Sequence, residues 1–194
     1  MTKIIKNKGF PYKVYSVLYD SCVSSITDYG SEVLGFGHCS AKLNIQLRAI
    51  RAFLGPPKTA GNASALSEFD WLQPHYRGQL RMVRFLNRVL KMSNDRLTKN
   101  VYIWDKHLND VGLVKTWSSE LRTVLESCDM PQLIDRDIPF CVKTATKKIE
   151  KIMSKQQNID LKNQCWEKPK LRTFVKFKIF GELPILFKGG LWHS

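Results

Sequence analysis

Five basic side chains recur along one line of the segment "HYRGQLRMVRFLNRVLKM", which covers residues 75–92. They follow one another at intervals of four, three, four and three residues, and they are Arg77, Arg81, Arg84, Arg88 and Lys91. Since each residue of an α-helix turns by about 100°, this spacing places all five within roughly a quarter of the helix circumference. The sequence therefore predicts a cationic ridge made of these five side chains, which could bind phosphate groups.

The ridge belongs to a strongly basic chain. Its 194 residues include 31 lysines and arginines against 17 acids, which gives a formal net charge of +14 and an isoelectric point near 9.7. Between His75 and Lys99 the only acid is Asp95, so carboxylates of the segment itself cannot neutralise the ridge. We expect compensation by a bound anion or by acidic groups elsewhere in the fold. Nucleic acid is the leading polyanionic partner, and a basic surface without any polyanion remains the alternative.

Other residues that could bind a metal or take part in catalysis do not form a recognisable site. The five cysteines are scattered and contain no C-x-x-C pair, and His38 beside Cys39 lacks a second pair at metal-ligand spacing. The carboxylates that form loose pairs are Glu32 with Glu68 and Asp135 with Asp137. No Ser/His/Asp order or glycine-rich phosphate loop accompanies them, so we predict no catalytic residue, metal or cofactor.

Hydrophobic periodicity predicts a mainly α fold, an irregular multi-helix bundle with at most a short strand near 171–179. The clearest helix ends at Gly55, which Pro56 follows, and another begins at Thr116 as N-cap. The ridge helix also carries an apolar arc, composed of Met82, Phe85, Leu86, Val89 and Met92. One side of that helix should therefore be buried while the ridge is displayed.

The chain lacks the signals of secretion and of membrane insertion. No apolar run approaches the roughly 20 residues needed to span a bilayer, and the lysine-bearing N-terminus meets Asp20 before a signal-peptide core develops. We therefore expect an intracellular protein, nuclear or cytoplasmic, that is not secreted and has no membrane partner.

Several blocks of the sequence resemble, in order and spacing, the region that follows the catalytic palm in reverse transcriptases of animal non-LTR (LINE-like) retrotransposons. The blocks are "LYDSCVSSITDYGSEVLG", "IQLRAIRAFLGPPKTAGNASALSE", "DWLQPHYRGQLRMVRFLNRVLKM", "DRLTKNVYIWD" and "KPKLRTFVKFK". In that family a Tyr-Gly-Ser-Glu-Val-Trp block opens the helical thumb, and here it starts at Tyr29 and has Leu34 in place of tryptophan. The resemblance runs from about Gly9 to about Glu182.

The resemblance implies a fragment of such a polymerase. The family's palm needs two adjacent carboxylates to hold Mg²⁺, and this chain has no adjacent Asp-Asp. We therefore expect a protein that is not an enzyme. Residues 1–110 would be a thumb-like helical region with the basic helix 75–92, and residues 111–194 a post-polymerase helical region with a frayed C-terminus.

The resemblance also implies a partner. A polymerase thumb grips the template-primer duplex through its backbone, so the ridge would contact phosphates of RNA or of an RNA/DNA duplex, weakly and without sequence preference. Secondary contacts would come from Arg48, Arg51, Arg96 and Lys99. A missing palm domain is a further candidate partner. The alternative is a co-opted or orphan interaction protein whose basic helix docks an acidic protein partner and has no nucleic-acid function.

Overall fold

The polypeptide is mainly α-helical. The computed structural model describes residues 10–34, 40–56, 60–112, 116–184 and 187. Within these ranges the chain forms helices, turns and irregular segments but no β-strand. The prediction of a mainly α, multi-helix fold is confirmed.

The N-terminal helices come first. They are α1 (Tyr12–Tyr19), a π-helical turn (Asp20–Ser24), α2 (Ser25–Thr27), α3 (Ser31–Leu34), α4 (Ser40–Leu54) and α5 (Asn62–Ser67). α4 ends as its sequence predicts, because Gly55 adopts a positive φ of 64° and its N–H donates to the Arg51 carbonyl at 2.9 Å.

The remaining helices of the described residues follow α5 along the chain. They are α6 (Pro74–Leu90), α7 (Leu97–Asp110), α8 (Trp117–Ser127), α9 (Gln132–Asp135), α10 (Val142–Glu167), a 3₁₀ turn (Pro169–Leu171) and α11 (Arg172–Phe177). The predicted N-cap of α8 is confirmed, since the Thr116 hydroxyl accepts a hydrogen bond from the Ser119 N–H at 3.2 Å.

Residues 171–179 form no strand, in agreement with the prediction of at most a short strand there, and most of them belong to the 3₁₀ turn and α11. The alternation of apolar residues fits a strand, yet Leu171, Phe174 and Val175 also fit one face of a helix. That face packs on the core of the first unit described below, so the helical period prevails. The frayed end is predicted for residues 187–194. Phe187 instead packs against the core of the first unit, and residues 188–194 lie outside the described residues.

The described residues group into two compact units, neither of which is a continuous stretch of chain. The first unit draws on residues 1–27, 39–74 and 154–194, and the second on 28–38 and 75–153. Helix α10 contributes to both, because the division falls at Ser154. The predicted thumb-like (1–110) and post-polymerase (111–194) regions concern the origin of these segments, and they stay a prediction.

An aromatic cluster forms the core of the first unit. The ring of Trp71 stacks on that of Tyr19 at a centroid distance of 4.1 Å and meets Phe69 edge-on at 4.7 Å. The indole N–H donates to the Ser16 hydroxyl at 2.6 Å, and the buried Tyr15 hydroxyl donates to the Ala49 carbonyl at 2.8 Å. The Trp71 indole and the Tyr15 hydroxyl each have a partner, which offsets the cost of removing these two polar groups from water.

A buried glutamine fixes the segment that leads into α6. The Gln157 side chain accepts a hydrogen bond from the Gln73 N–H at 2.7 Å, and its amide donates to the Trp71 carbonyl at 3.1 Å. All three residues are buried within the first unit. Trp71 and Gln73 lie in an irregular segment, outside any helix. The Gln157 side chain of α10 therefore supplies the hydrogen bonds that two of their main-chain groups need.

The second unit is organised around α6. This helix buries Met82, Val83 and Leu86 completely, and α8 buries Leu121 and Leu125 to the same degree. The buried Asn87 side chain accepts a hydrogen bond from the Phe140 N–H at 2.8 Å, which fixes the segment before α10. The apolar side of α6 is therefore core, as its sequence predicts.

Replacement of Gln157 by leucine tests the role of its amide. The variant leaves two buried main-chain groups without partners, each at a cost of about 1–3 kcal/mol, so we expect the free energy of unfolding to fall by about 2–6 kcal/mol. Urea unfolding followed by circular dichroism measures the change. The matched control is Gln156→Leu, because the exposed Gln156 bonds only to Asp160 on the surface and should change stability by less than about 0.5 kcal/mol. Equal losses in the two variants would contradict this role.

Candidate nucleic-acid interface

Four members of the cationic ridge lie on α6, and the fifth, Lys91, is the first residue after that helix. The five side chains differ in exposure. Arg84, Arg88 and Lys91 are exposed, whereas Arg77 and Arg81 are partly buried. The structure thus divides the ridge into an N-terminal part inside the fold and a C-terminal part open to solvent.

A buried carboxylate neutralises the N-terminal part. The Nε atom of Arg77 lies 2.9 Å from Oδ2 of Asp28, and its Nη2 atom lies 3.5 Å from Oδ1. Arg81 approaches the same carboxylate at 4.0 Å. The Asp28 side chain is 2% exposed and that of Arg77 is 16% exposed, so this ion pair is shielded from water. Asp28 is the compensating acid that the composition of the ridge segment called for.

A tight turn holds Asp28 in place. The Ser31 hydroxyl and the Ser31 N–H both donate to the Asp28 carbonyl, at 2.6 and 3.1 Å. Gly30 adopts a positive φ of 67°, a conformation that favours glycine. After the turn, the Glu32 carbonyl accepts a hydrogen bond from the indole N–H of Trp117 at 2.9 Å. These contacts fix the main chain at Asp28 and just after it, and with it the position of the carboxylate.

No such acid from the described residues accompanies the C-terminal part of the ridge. Within the described ranges, no carboxylate oxygen lies within 4.0 Å of Arg84, Arg88 or Lys91. The Arg88 guanidinium lies 5.6 Å from the centroid of the Phe85 ring, a cation–π contact that leaves its N–H groups available. These three side chains can accept anionic ligands from solution.

The secondary residues do not extend the ridge uniformly. Arg48 is exposed on α4, and Arg51 donates to the Ala60 carbonyl and to Asn62 Oδ1, both at 2.8 Å. These two arginines belong to the first unit, whereas the ridge belongs to the second. Arg96 is exposed at the N-cap of α7.

Lys99 is less accessible than the exposed Arg48 and Arg96. It is only 9% exposed and its ammonium lies 5.8 Å from the centroid of the Tyr102 ring. Its cation faces this aromatic ring on the packed side of α7, which leaves less of the side chain available to a ligand. A contact of Lys99 with nucleic acid stays a prediction.

One of the two carboxylate pairs considered for catalysis, Asp135 with Asp137, is engaged in ion pairs. Asp137 pairs with Lys106 and accepts a hydrogen bond from the Tyr102 hydroxyl at 3.0 Å, while Asp135 lies 2.7 Å from Arg122. Burial, with the Asp137 charge beside it, raises the pKa of Tyr102. These contacts stabilise the neutral phenol and occupy the acids.

Thiols and metal ligands are distributed rather than clustered. Burial raises the pKa of the Cys128 and Cys165 thiols, whereas the Thr144 hydroxyl lowers that of the exposed Cys141. No group of three potential metal ligands occurs in the part of the chain that the structure describes. The His38–Cys39 pair lies outside the described residues.

Helical periodicity in the sequence does not indicate two features of this region. One is Asp28, whose only sequence signal is its position before the glycine turn, 49 residues from Arg77. The other is an apolar groove beside the ridge, which involves α7 and is described below. Neither pairing follows from helical periodicity, because both join segments far apart in the chain.

Replacement of Asp28 by asparagine tests the buried pair. The Arg77 charge would remain without its carboxylate, so we expect the free energy of unfolding to fall by about 3 kcal/mol. Adding Arg77→Met removes the second charge, and the double variant should regain most of that stability. Asp95→Asn is the control, since Asp95 is exposed and should change stability by less than about 0.5 kcal/mol. A double variant as unstable as the sum of the single changes would refute the coupling.

Within the described residues, no helix combines the length and the hydrophobicity that crossing a membrane requires.

Comparison with protein-family models, with curated proteins and with solved structures finds no match to this chain.

Proposed function

We propose that the protein binds the sugar-phosphate backbone of nucleic acid, weakly and without sequence preference, through Arg84, Arg88 and Lys91. The observation that carries the proposal is that these three cations, two on α6 and one directly after it, are exposed, and no described carboxylate pairs with them. The net charge of +14 supports it, because the field of the whole chain attracts polyanions.

The spacing of the three cations suits a phosphate chain. From Arg84 to Lys91 the helical rise amounts to about 10 Å, at 1.5 Å per residue. Phosphates of one strand of a duplex follow one another at about 3.4 Å along the axis, so the ridge can face about three of them. Contacts of this kind position a backbone and carry no sequence information.

Weak binding follows from the small number of contacts. Arg81 is partly engaged by Asp28, so it adds less than a free arginine would. Three phosphate contacts correspond to a slope of about −2.7 for the logarithm of affinity against the logarithm of salt concentration. Nonspecific dissociation constants of about 10⁻⁴–10⁻⁶ M are typical of such binding.

The resemblance to retrotransposon reverse transcriptases supports the same ligand. We propose that the chain is a non-catalytic fragment of the region after the palm, with RNA or an RNA/DNA duplex as partner. A missing palm domain would be a second partner under this origin. With this function we propose that the chain acts in the nucleus or the cytoplasm.

A triple substitution of the exposed ridge tests the proposal. Arg84→Gln, Arg88→Gln and Lys91→Gln together should weaken binding of a labelled RNA or RNA/DNA duplex at least about tenfold at low salt. The salt slope should fall in magnitude by about two to three. Fluorescence anisotropy over a salt series measures both, and circular dichroism checks that the helices remain.

The control removes the same charge from another helix. Lys147, Lys148 and Lys151 are exposed on α10 in the second unit, and their replacement by glutamine lowers the net charge by the same three units. Affinity should change much less in this control. If both triple variants lose affinity equally, binding is a property of the net charge and the ridge has no special role.

A further inference from the structure

An apolar groove runs beside the ridge in the second unit. Its volume is about 330 Å³, and its lining comes from α6, α7, α8 and α3. The apolar lining residues are Val33, Phe85, Val89, Leu97, Val101 and Trp117. Such a lining, open to water, is characteristic of a binding site rather than of a folded core.

The face of α7 that borders the groove is exposed. Leu97 is 76% exposed, Val101 is 53% exposed and Trp104 is 64% exposed. These residues stand at positions i, i+4 and i+7, so they form one stripe along two turns of the helix. On α3, Leu34 is 78% exposed next to the lining residue Val33. The stripe is long enough to receive one face of another helix.

The charges around the groove select the occupant. Phe85 lines the groove and carries the Arg88 guanidinium over its ring, and Arg84 follows on the same side of α6. The carboxylate in the lining is Asp105, and it is occupied because it accepts hydrogen bonds from the N–H groups of Trp117 and Ser118 at 3.1 and 2.8 Å. An occupant therefore meets apolar side chains in the groove and cations at its edge.

We infer that this groove binds an acidic amphipathic helix of a protein partner. The apolar face of that helix would cover Leu97 and Val101, and its acidic residues would pair with Arg84 and Arg88. A second copy of this chain suits the groove less well, because two molecules of net charge +14 repel each other. The inference goes beyond nucleic-acid binding and does not depend on it.

A designed peptide serves as the probe. It has 18 residues, with leucines at i, i+4, i+7 and i+11 and glutamates flanking them, and it carries a fluorescent label for anisotropy with the full chain. Val101→Glu puts a charge into the groove at an exposed position and should weaken peptide binding about tenfold or more, the equivalent of losing one buried valine. Circular dichroism verifies that the variant is folded.

The matched control is Ile103→Glu on the same helix. Ile103 is β-branched like Val101 and 50% exposed, but it does not line the groove. This variant carries the same added charge and should bind the peptide within about twofold of the parent chain. The two variants should have equal affinities for a duplex oligonucleotide. A result against peptide binding in the groove can therefore be distinguished from a result against nucleic-acid binding by the ridge.

Two further measurements decide the identity of the occupant. A peptide with every leucine replaced by serine keeps its charge and should bind about tenfold more weakly or worse. Equal affinity for the two peptides, or equal affinity of the parent and Val101→Glu chains for the leucine peptide, would overturn the inference. Self-association of the parent chain that Val101→Glu abolishes, without peptide binding, would also overturn it and assign the groove to a second copy.

Discussion

The buried ion pair between Asp28 and Arg77 is the constraint on which the ridge depends. A helix that displays five cations on one line repels itself, and each neighbouring pair costs a few tenths of a kcal/mol. Asp28 offsets this cost for the N-terminal part, where Arg77 contacts it directly and Arg81 lies 4.0 Å away. The repulsion that remains is confined to Arg84, Arg88 and Lys91, which can spread into solvent. One acid from a distant turn thereby determines which cations stay available to a ligand.

Helix α6 has three environments on its circumference. Met82 and Leu86 are completely buried in the core, the cations occupy a second side, and Phe85 and Val89 line the groove. The Arg88 guanidinium over the Phe85 ring joins the second environment to the third. A nucleic acid on the ridge and an acidic helix in the groove would both use Arg88, so the two ligands would compete rather than bind together.

Much of the fold could be predicted because local signals determine it. The end of α4 at Gly55, the N-cap at Thr116 and the apolar side of α6 follow from residue type and helical spacing. Residues 171–179 could not be predicted in this way, since two periods fit the same residues and only packing decides between them.

The candidate site was less predictable than the helices. Periodicity indicates which side chains share a line, but not which of them meet a carboxylate from 49 residues away. It likewise does not show that Lys99, named as a secondary contact, is only 9% exposed beside the Tyr102 ring. The groove could not be predicted from periodicity, because its lining comes from separate helices that meet only in the folded chain.

The interleaved course of the chain affects its synthesis on the ribosome. The aromatic cluster around Trp71 forms part of a unit that also requires residues from 154 onward, including Leu161 and Cys165. At about 5–20 residues per second, the ribosome needs roughly 4–16 s to add the 80 residues from 74 to 154. During that interval Tyr15, Tyr19 and Trp71 lack some of their packing partners, so the nascent chain exposes an aromatic surface that is prone to aggregation. A molecular chaperone that recognises such surfaces would have its opportunity in this interval.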